Sequence, residues 1–140
     1  MKRRYIIIIG MLTVLVAILA SCSDATPTTT TTPETISSEA ITPSEAMYIM
    51  AYQDVIILDV RTLEEFNTGY IPNAVSLPID ELADAVTIMI PNKEQIILIY
   101  CRSGNRSADA ADILVALGYI NVYDFGGILD WTGEIHFPSH

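Results

Sequence analysis

The chain has little cysteine, histidine or positive charge. Its 140 residues hold two cysteines, Cys22 and Cys101, and two histidines, His136 and His140. One intrachain disulfide, Cys22–Cys101, is all that the cysteines allow. Two histidines in a short, loose tail with no cysteine beside them do not make a metal site, so no metal is expected, and no cofactor. The 7 basic residues face 17 acidic ones, a formal net charge of −10. Three of the basic residues are Lys2, Arg3 and Arg4, so everything after them carries roughly −13. So acidic a body does not seek nucleic acid or anionic lipid through charge. The length leaves room for one domain, not two, and the chain has no internal repeats.

The first twenty residues read as a targeting segment. Lys2–Arg4 form a charged stretch, and Tyr5–Ala20 is uncharged and mostly apolar. Leu19–Cys22 reads LASC, which resembles the lipobox of bacterial lipoproteins. That resemblance implies a signal peptide over residues 1–21, a lipid on the Cys22 thiol, and a domain held at the extracytoplasmic face of a membrane. An uncleaved membrane-spanning anchor stays open, since residues 5–21 lie at the short edge of the about 17–25 residues that cross a bilayer. Residues 22–40 are rich in Thr, Ser and Pro and read as a linker. Such a segment spans on the order of 20–25 Å, and Pro and Thr stiffen it further. The folded domain is expected over residues 41–140. With Cys22 lipidated, Cys101 is the lone thiol of an exported domain, so it is reactive or paired between molecules.

Within that domain, helix and strand signals alternate. Thr42-Pro43-Ser44-Glu45 has the form of a capping box and opens a helix to about Ala51. Val55–Asp59 is a buried-strand run. Thr62–Glu65 repeats the capping-box form, and Gly69 closes that short helix. Ala74–Leu77 is a short strand, Asp80–Met89 a helix, and Ile96–Tyr100 (IILIY) a central strand. Ser107–Leu117 carries a helical apolar stripe, Asn121–Tyr123 is a last strand, and Ile128–Trp131 a short helix. Trp131 is expected to pack in the core, and Tyr48 and Tyr52 share a helix face and are expected to serve packing. The alternation implies an α/β fold: a mostly parallel, five-stranded sheet with helices on both faces. Ligands bind such sheets beyond the carboxyl ends of the strands, where Asp59 and Cys101 both fall.

Cys101 opens the run CRSGNRS between the central strand and the following helix. Backbone N–H groups of such a loop and of the first helical turn converge and favour negative charge. A thiol held there is pushed toward thiolate, its reactive form. Gly104 allows a tight turn, while Ser103 and Asn105 have short polar side chains that suit turns. Arg102 and Arg106 offer forked cations for an oxyanion, and Ser107 begins the helix. At close range these two charges outweigh the acidic body, which is screened beyond about 8 Å.

Three stretches together resemble the rhodanese-like domain: DVRTLEEFNTGYIPNAVSLPIDEL (Asp59–Leu82), CRSGNRS (Cys101–Ser107) and LGYINVYDFGGILDW (Leu117–Trp131). The resemblance covers about Thr42–Trp131. It implies a sulfurtransferase in which Cys101 takes sulfane sulfur from a donor such as thiosulfate or polysulfide. The sulfur is held as a persulfide and passed to a thiol, sulfite, cyanide or a partner protein. Residues 102–107 would bind substrate, and Asp59 and Arg61 would brace the site. The span from Cys101 to Arg106 is six residues, one fewer than in related phosphatases and arsenate reductases, and the shorter loop fits a single sulfur atom. Where the family often has His, this chain has Tyr70, so a possible titrating group is missing. The alternative is a module that carries sulfur, senses oxidants or binds partners without turnover.

Overall fold

The computed structural model describes residues 37–138. The signal segment, Cys22, most of the linker and His140 lie outside the described residues. Nine regular elements follow in order: β1 (Glu39–Ala40), α1 (Pro43–Tyr52), β2 (Val55–Asp59), α2 (Leu63–Asn67), β3 (Val75–Ser76), α3 (Ile79–Met89), β4 (Ile96–Cys101), α4 (Asn105–Ala116) and β5 (Val122–Gly127). A single 3₁₀ turn at Ile128–Asp130 follows β5. The strands form one sheet in the order β1-β5-β4-β2-β3, and every neighbouring pair is parallel. The α/β reading of the sequence holds, with β4 at the centre.

Local chemistry starts two of the helices. The Thr42 hydroxyl accepts from the Glu45 N–H at 3.2 Å while the Glu45 carboxylate accepts from the Thr42 N–H at 2.8 Å. Thr62 and Glu65 repeat the exchange at 3.2 and 3.1 Å. Each box satisfies N–H groups that have no partner inside the helix.

Successive residues of β4 point to opposite faces of the sheet. Ile97 and Ile99 join Leu58 beneath α3 (Leu82, Val86) and α4 (Ala110, Leu114). Leu98 and Tyr100 join Ile57 and Phe125 beneath α1, where Ala46 is buried. Both faces are covered, so β4 reads as an unbroken apolar run. The same alternation sends Tyr100 and Cys101 to opposite sides at the strand's end.

Several expectations need correcting. Glu39–Ala40 falls in the stretch read as linker, yet it pairs with Tyr123 and Asp124 of β5 as an edge strand. Both of its residues are exposed, so no apolar signal marks it. α4 starts two residues earlier than its apolar stripe, and β5 runs on to Gly127. Tyr48 and Tyr52 do pack on each other, ring centroids 4.8 Å apart, but at the surface, 68% and 71% exposed. Trp131 is half-buried against Phe125. The tail is not loose at His136, whose N–H and carbonyl pair with those of Tyr70 at 2.8 and 2.9 Å.

Candidate active site

The parallel sheet brings the ends of β2, β4 and β5 to one edge, and Cys101 is the last residue of β4. Gly104 follows with φ +102°, a left-handed conformation that glycine adopts without strain, and the chain enters α4 directly. The reversal turns the loop's amides back onto the strand end. The Gly104 N–H donates to Cys101 Sγ at 3.1 Å.

Burial pushes the Cys101 thiol up. The Ser107 hydroxyl and the amides of Ser107, Gly104 and Ser103 oppose that, and the balance leaves the thiol below its ordinary value. Magnitudes make this reasonable. A hydrogen bond to a charged group is worth about 1.5–3 kcal/mol, and a helix N-terminus adds up to about 2 kcal/mol. Ser107 has one hydroxyl proton and several acceptors around it. It donates to the carbonyls of Gly104 (2.9 Å) and Gly126 (3.2 Å), and the sulfur competes for it once ionised.

β5 closes the loop from behind. Its pairing with β4 slips between Ile99 and Cys101, so that β5 carries one more residue there than β4. Gly126 takes the positive φ of that bulge, +87°. Gly127 then lies directly on the loop: a Cβ there would sit 2.6 Å from Ser103 Cα and overlap the Arg102 carbonyl. Gly127 is therefore required by the loop's position, and Gly126 by its own positive φ. Their adjacency at a strand end was the sequence signal for it.

The two loop arginines part company. Arg106 turns to α2 and holds Glu65 in a two-pronged pair, Nη1 to Oε2 at 2.6 Å and Nη2 to Oε1 at 2.8 Å. Arg106 keeps the Glu65 carboxyl down at about 2, although partial burial works against it. Glu65 thus does more than cap its helix, a role the capping-box pattern hid. Arg102 is exposed and has no ion pair among the described residues. Asn105 is exposed at the first helical position.

Asp59 and Arg61 lie on the other side of the sheet edge, both buried. Arg61 Nε and Nη2 donate to the Asp59 carboxylate at 2.6–3.0 Å, and Nη2 also donates to the Gly69 carbonyl at 2.8 Å. Tyr100 stands beside them. Its ring lies under the Arg61 guanidinium, and its hydroxyl accepts from the Ile71 N–H at 3.2 Å. This cluster ties β2, β4 and the turn after α2 together, one residue from the thiol. Tyr70 stacks on Phe66 with ring centroids 4.0 Å apart and contacts His136, so it serves packing.

A cleft of about 340 Å³ opens at this edge, lined by Arg61, Glu65, Arg102, Leu129 and Ile135 among others. A larger groove of about 550 Å³ runs under α1 past Met50, Ile71 and Trp131, on the face away from the thiol, and no loop residue lines it. Among the described residues no group of three or more His, Cys, Asp or Glu is placed to hold a metal ion.

Known proteins resemble this chain in sequence and in fold. The rhodanese-like domain family matches residues 42–134. A sulfurtransferase of Allochromatium vinosum is 40% identical over 81 residues, 57% of this chain and 74% of that protein. A thiosulfate sulfurtransferase of Escherichia coli is 30% identical over 73 residues, 52% of this chain and 70% of that protein. The crystal structure of a rhodanese-like domain protein from Staphylococcus aureus superposes with a TM-score of 0.60 at 35% identity, covering 72% of this chain and 99% of that one. The family model covers most of the described residues, and the chain belongs to the rhodanese-like domain family.

Proposed function

We propose that this protein is a sulfurtransferase working through a persulfide on Cys101. The observation that carries the reading is the thiol itself, buried yet held toward thiolate by the Gly104 amide at 3.1 Å and its neighbours. The Cys101 thiolate attacks the outer sulfur of a donor such as thiosulfate. A new S–S bond forms, the donor's S–S bond breaks, and sulfite leaves with the electron pair. The persulfide is an anion, and the amides that favoured the thiolate now face its outer sulfur. An acceptor thiolate, sulfite or cyanide attacks that sulfur, and Cys101 leaves again as thiolate. Ser103, Gly104 and Ser107 form the cradle, Arg102 meets the incoming anion, and Arg106 faces the sulfur, held in place by its pair with Glu65. Asp59 and Arg61 brace the strand ends.

The test is a thiosulfate sulfurtransferase assay on residues 37–140 beside Cys101→Ser. The variant is expected to lose persulfide formation and turnover together. Turnover by Cys101→Ser would end the reading. One observation favours a second reading, a sulfur carrier without turnover: Cys101 is only 1% exposed. A gain of about 32 Da on Cys101 without repeated turnover would select it.

We also propose that the domain is tethered to a membrane through lipid on Cys22. The support is the LASC run after the apolar segment and the Thr/Ser/Pro-rich stretch that follows. Mass spectrometry of the N-terminus checks it, and an intact Met1 would reject it.

A further inference from the structure

The cleft beside Cys101 has an uneven lining. Of the three arginines at this edge, Arg61 is neutralised by Asp59 and Arg106 by Glu65, which leaves Arg102 as the one cation without an ion pair among the described residues. Glu65 itself lines the cleft. A dianion therefore meets one uncompensated positive charge and a carboxylate. The rest of the lining is Thr68, Gly69 and three apolar side chains, Ile128, Leu129 and Ile135. Leu129 is 66% exposed, a large side chain facing water at the mouth of the site.

This wall is assembled from distant parts of the sequence. The Leu129 N–H donates to the Arg102 carbonyl at 3.3 Å, so the 3₁₀ turn is fastened to the Cys101 loop. Ile135 arrives with the tail that pairs with Tyr70, and its Cγ2 lies 3.1 Å from where a Cβ on Gly69 would be. The apolar side chains are thus held beside the loop by backbone bonds and packing. Apolar side chains exposed to water beside the loop that carries Cys101 gain by covering themselves with apolar substrate.

We propose that the sulfur acceptor is a thiol borne on an apolar body, and that Leu129 and Ile135 are the residues that select it. The inference rests on the sulfurtransferase reading. The acceptor's alkyl portion lies along Leu129 and Ile135 while its thiolate approaches past Arg102. The thiolate attacks the outer sulfur of the Cys101 persulfide. The bond between the two persulfide sulfurs breaks, its electron pair stays on Cys101, and the acceptor departs as a persulfide anion. Small hydrophilic acceptors such as cyanide react by the same displacement without touching the wall.

Ethanethiol and butanethiol test the idea, because their thiols are nearly equal in acidity and differ only in apolar length. The protein is first treated with thiosulfate, and a gain of about 32 Da on Cys101 is verified before either thiol is added. At about 0.8 kcal/mol per buried methylene, each methylene that the wall covers raises kcat/KM about fourfold. Butanethiol is expected to exceed ethanethiol by roughly tenfold, and Leu129→Ser and Ile135→Ser are each expected to cut that ratio to about threefold or less. Leu129 is largely exposed, so its substitution tests the wall without disturbing the core. Equal rates for the two thiols, or an unchanged ratio in both variants, would overturn the inference while leaving the persulfide chemistry intact. Absence of the mass gain would overturn the sulfurtransferase reading, and the inference with it.

Discussion

Two arginine–carboxylate pairs stand at the carboxyl edge of the sheet, one on each side of Cys101. Both are two-pronged, with shortest contacts of 2.6 Å. They differ in their access to water. The Arg61 and Asp59 side chains are 5% and 0% exposed, whereas those of Arg106 and Glu65 are 32% and 26% exposed. Burial makes the first pair a matter of folding: neither charge is tolerated without the other. Water screens the second, so losing it costs little stability. Its effect falls on the loop, because Arg106 also faces the Cys101 sulfur. One pairing motif therefore fixes the strand ends on one side and sets the charge felt by the Cys101 thiol on the other.

The buried side offers the largest effects. Arg61→Ala leaves the Asp59 carboxylate buried without a counter-charge and the Gly69 carbonyl without its donor. A loss of about 3–5 kcal/mol is expected in urea denaturation. A loss under about 1 kcal/mol would mean that water reaches Asp59, and the contrast between the two pairs would collapse. Tyr100→Phe is a finer cut in the same cluster. It removes the acceptor of the Ile71 N–H and a hydroxyl that faces Asp59. An unsatisfied buried N–H costs about 1–3 kcal/mol, and the same denaturation curves report it.

The two pairs were not equally legible in the sequence. Asp59 and Arg61 are two residues apart at the end of an apolar strand run, and the resemblance to the family implied that they brace the site. The Cys101 loop was legible too, since a polar doubly cationic run between an apolar strand and a helix has few uses. The Glu65–Arg106 pair bridges 41 positions, and Glu65 already had a sufficient local role in its capping box. Glu39–Ala40 was invisible because an exposed two-residue edge strand is held by backbone bonds, which leave no mark on side-chain pattern. That Tyr48 and Tyr52 pack at the surface was not legible, because helical spacing alone does not say which face of a helix meets the sheet. His136 was assigned to a loose tail because its partner, Tyr70, is visible only once the chain has folded back.

Glu65→Gln probes the exposed pair and is expected to have the smallest effect on stability, at most about 1 kcal/mol at neutral pH. Two other readouts carry its signature. The first is acid stability. Arg106 lowers the Glu65 carboxyl to about 2 in the folded state, so the pair stabilises the fold above the unfolded carboxyl's value of about 4.3. That contribution is lost as pH falls toward about 2, and the variant lacks this part of the acid limb, which urea midpoints at pH 6 and below pH 3 compare. The second is the thiol. With the carboxylate gone, the charge of Arg106 acts on Cys101 uncompensated, so the already lowered thiol falls further. A lower value means more thiolate at acid pH. Alkylation of Cys101 by iodoacetamide is therefore expected to keep its rate to lower pH in Glu65→Gln, by roughly two- to tenfold on the acid side of the midpoint. The reverse change, Ser107→Ala, removes a donor to the sulfur and moves the same profile up. Superimposable alkylation profiles for wild type and Glu65→Gln would show that Arg106 acts on its carboxylate alone, and the two pairs would then differ in burial but not in task.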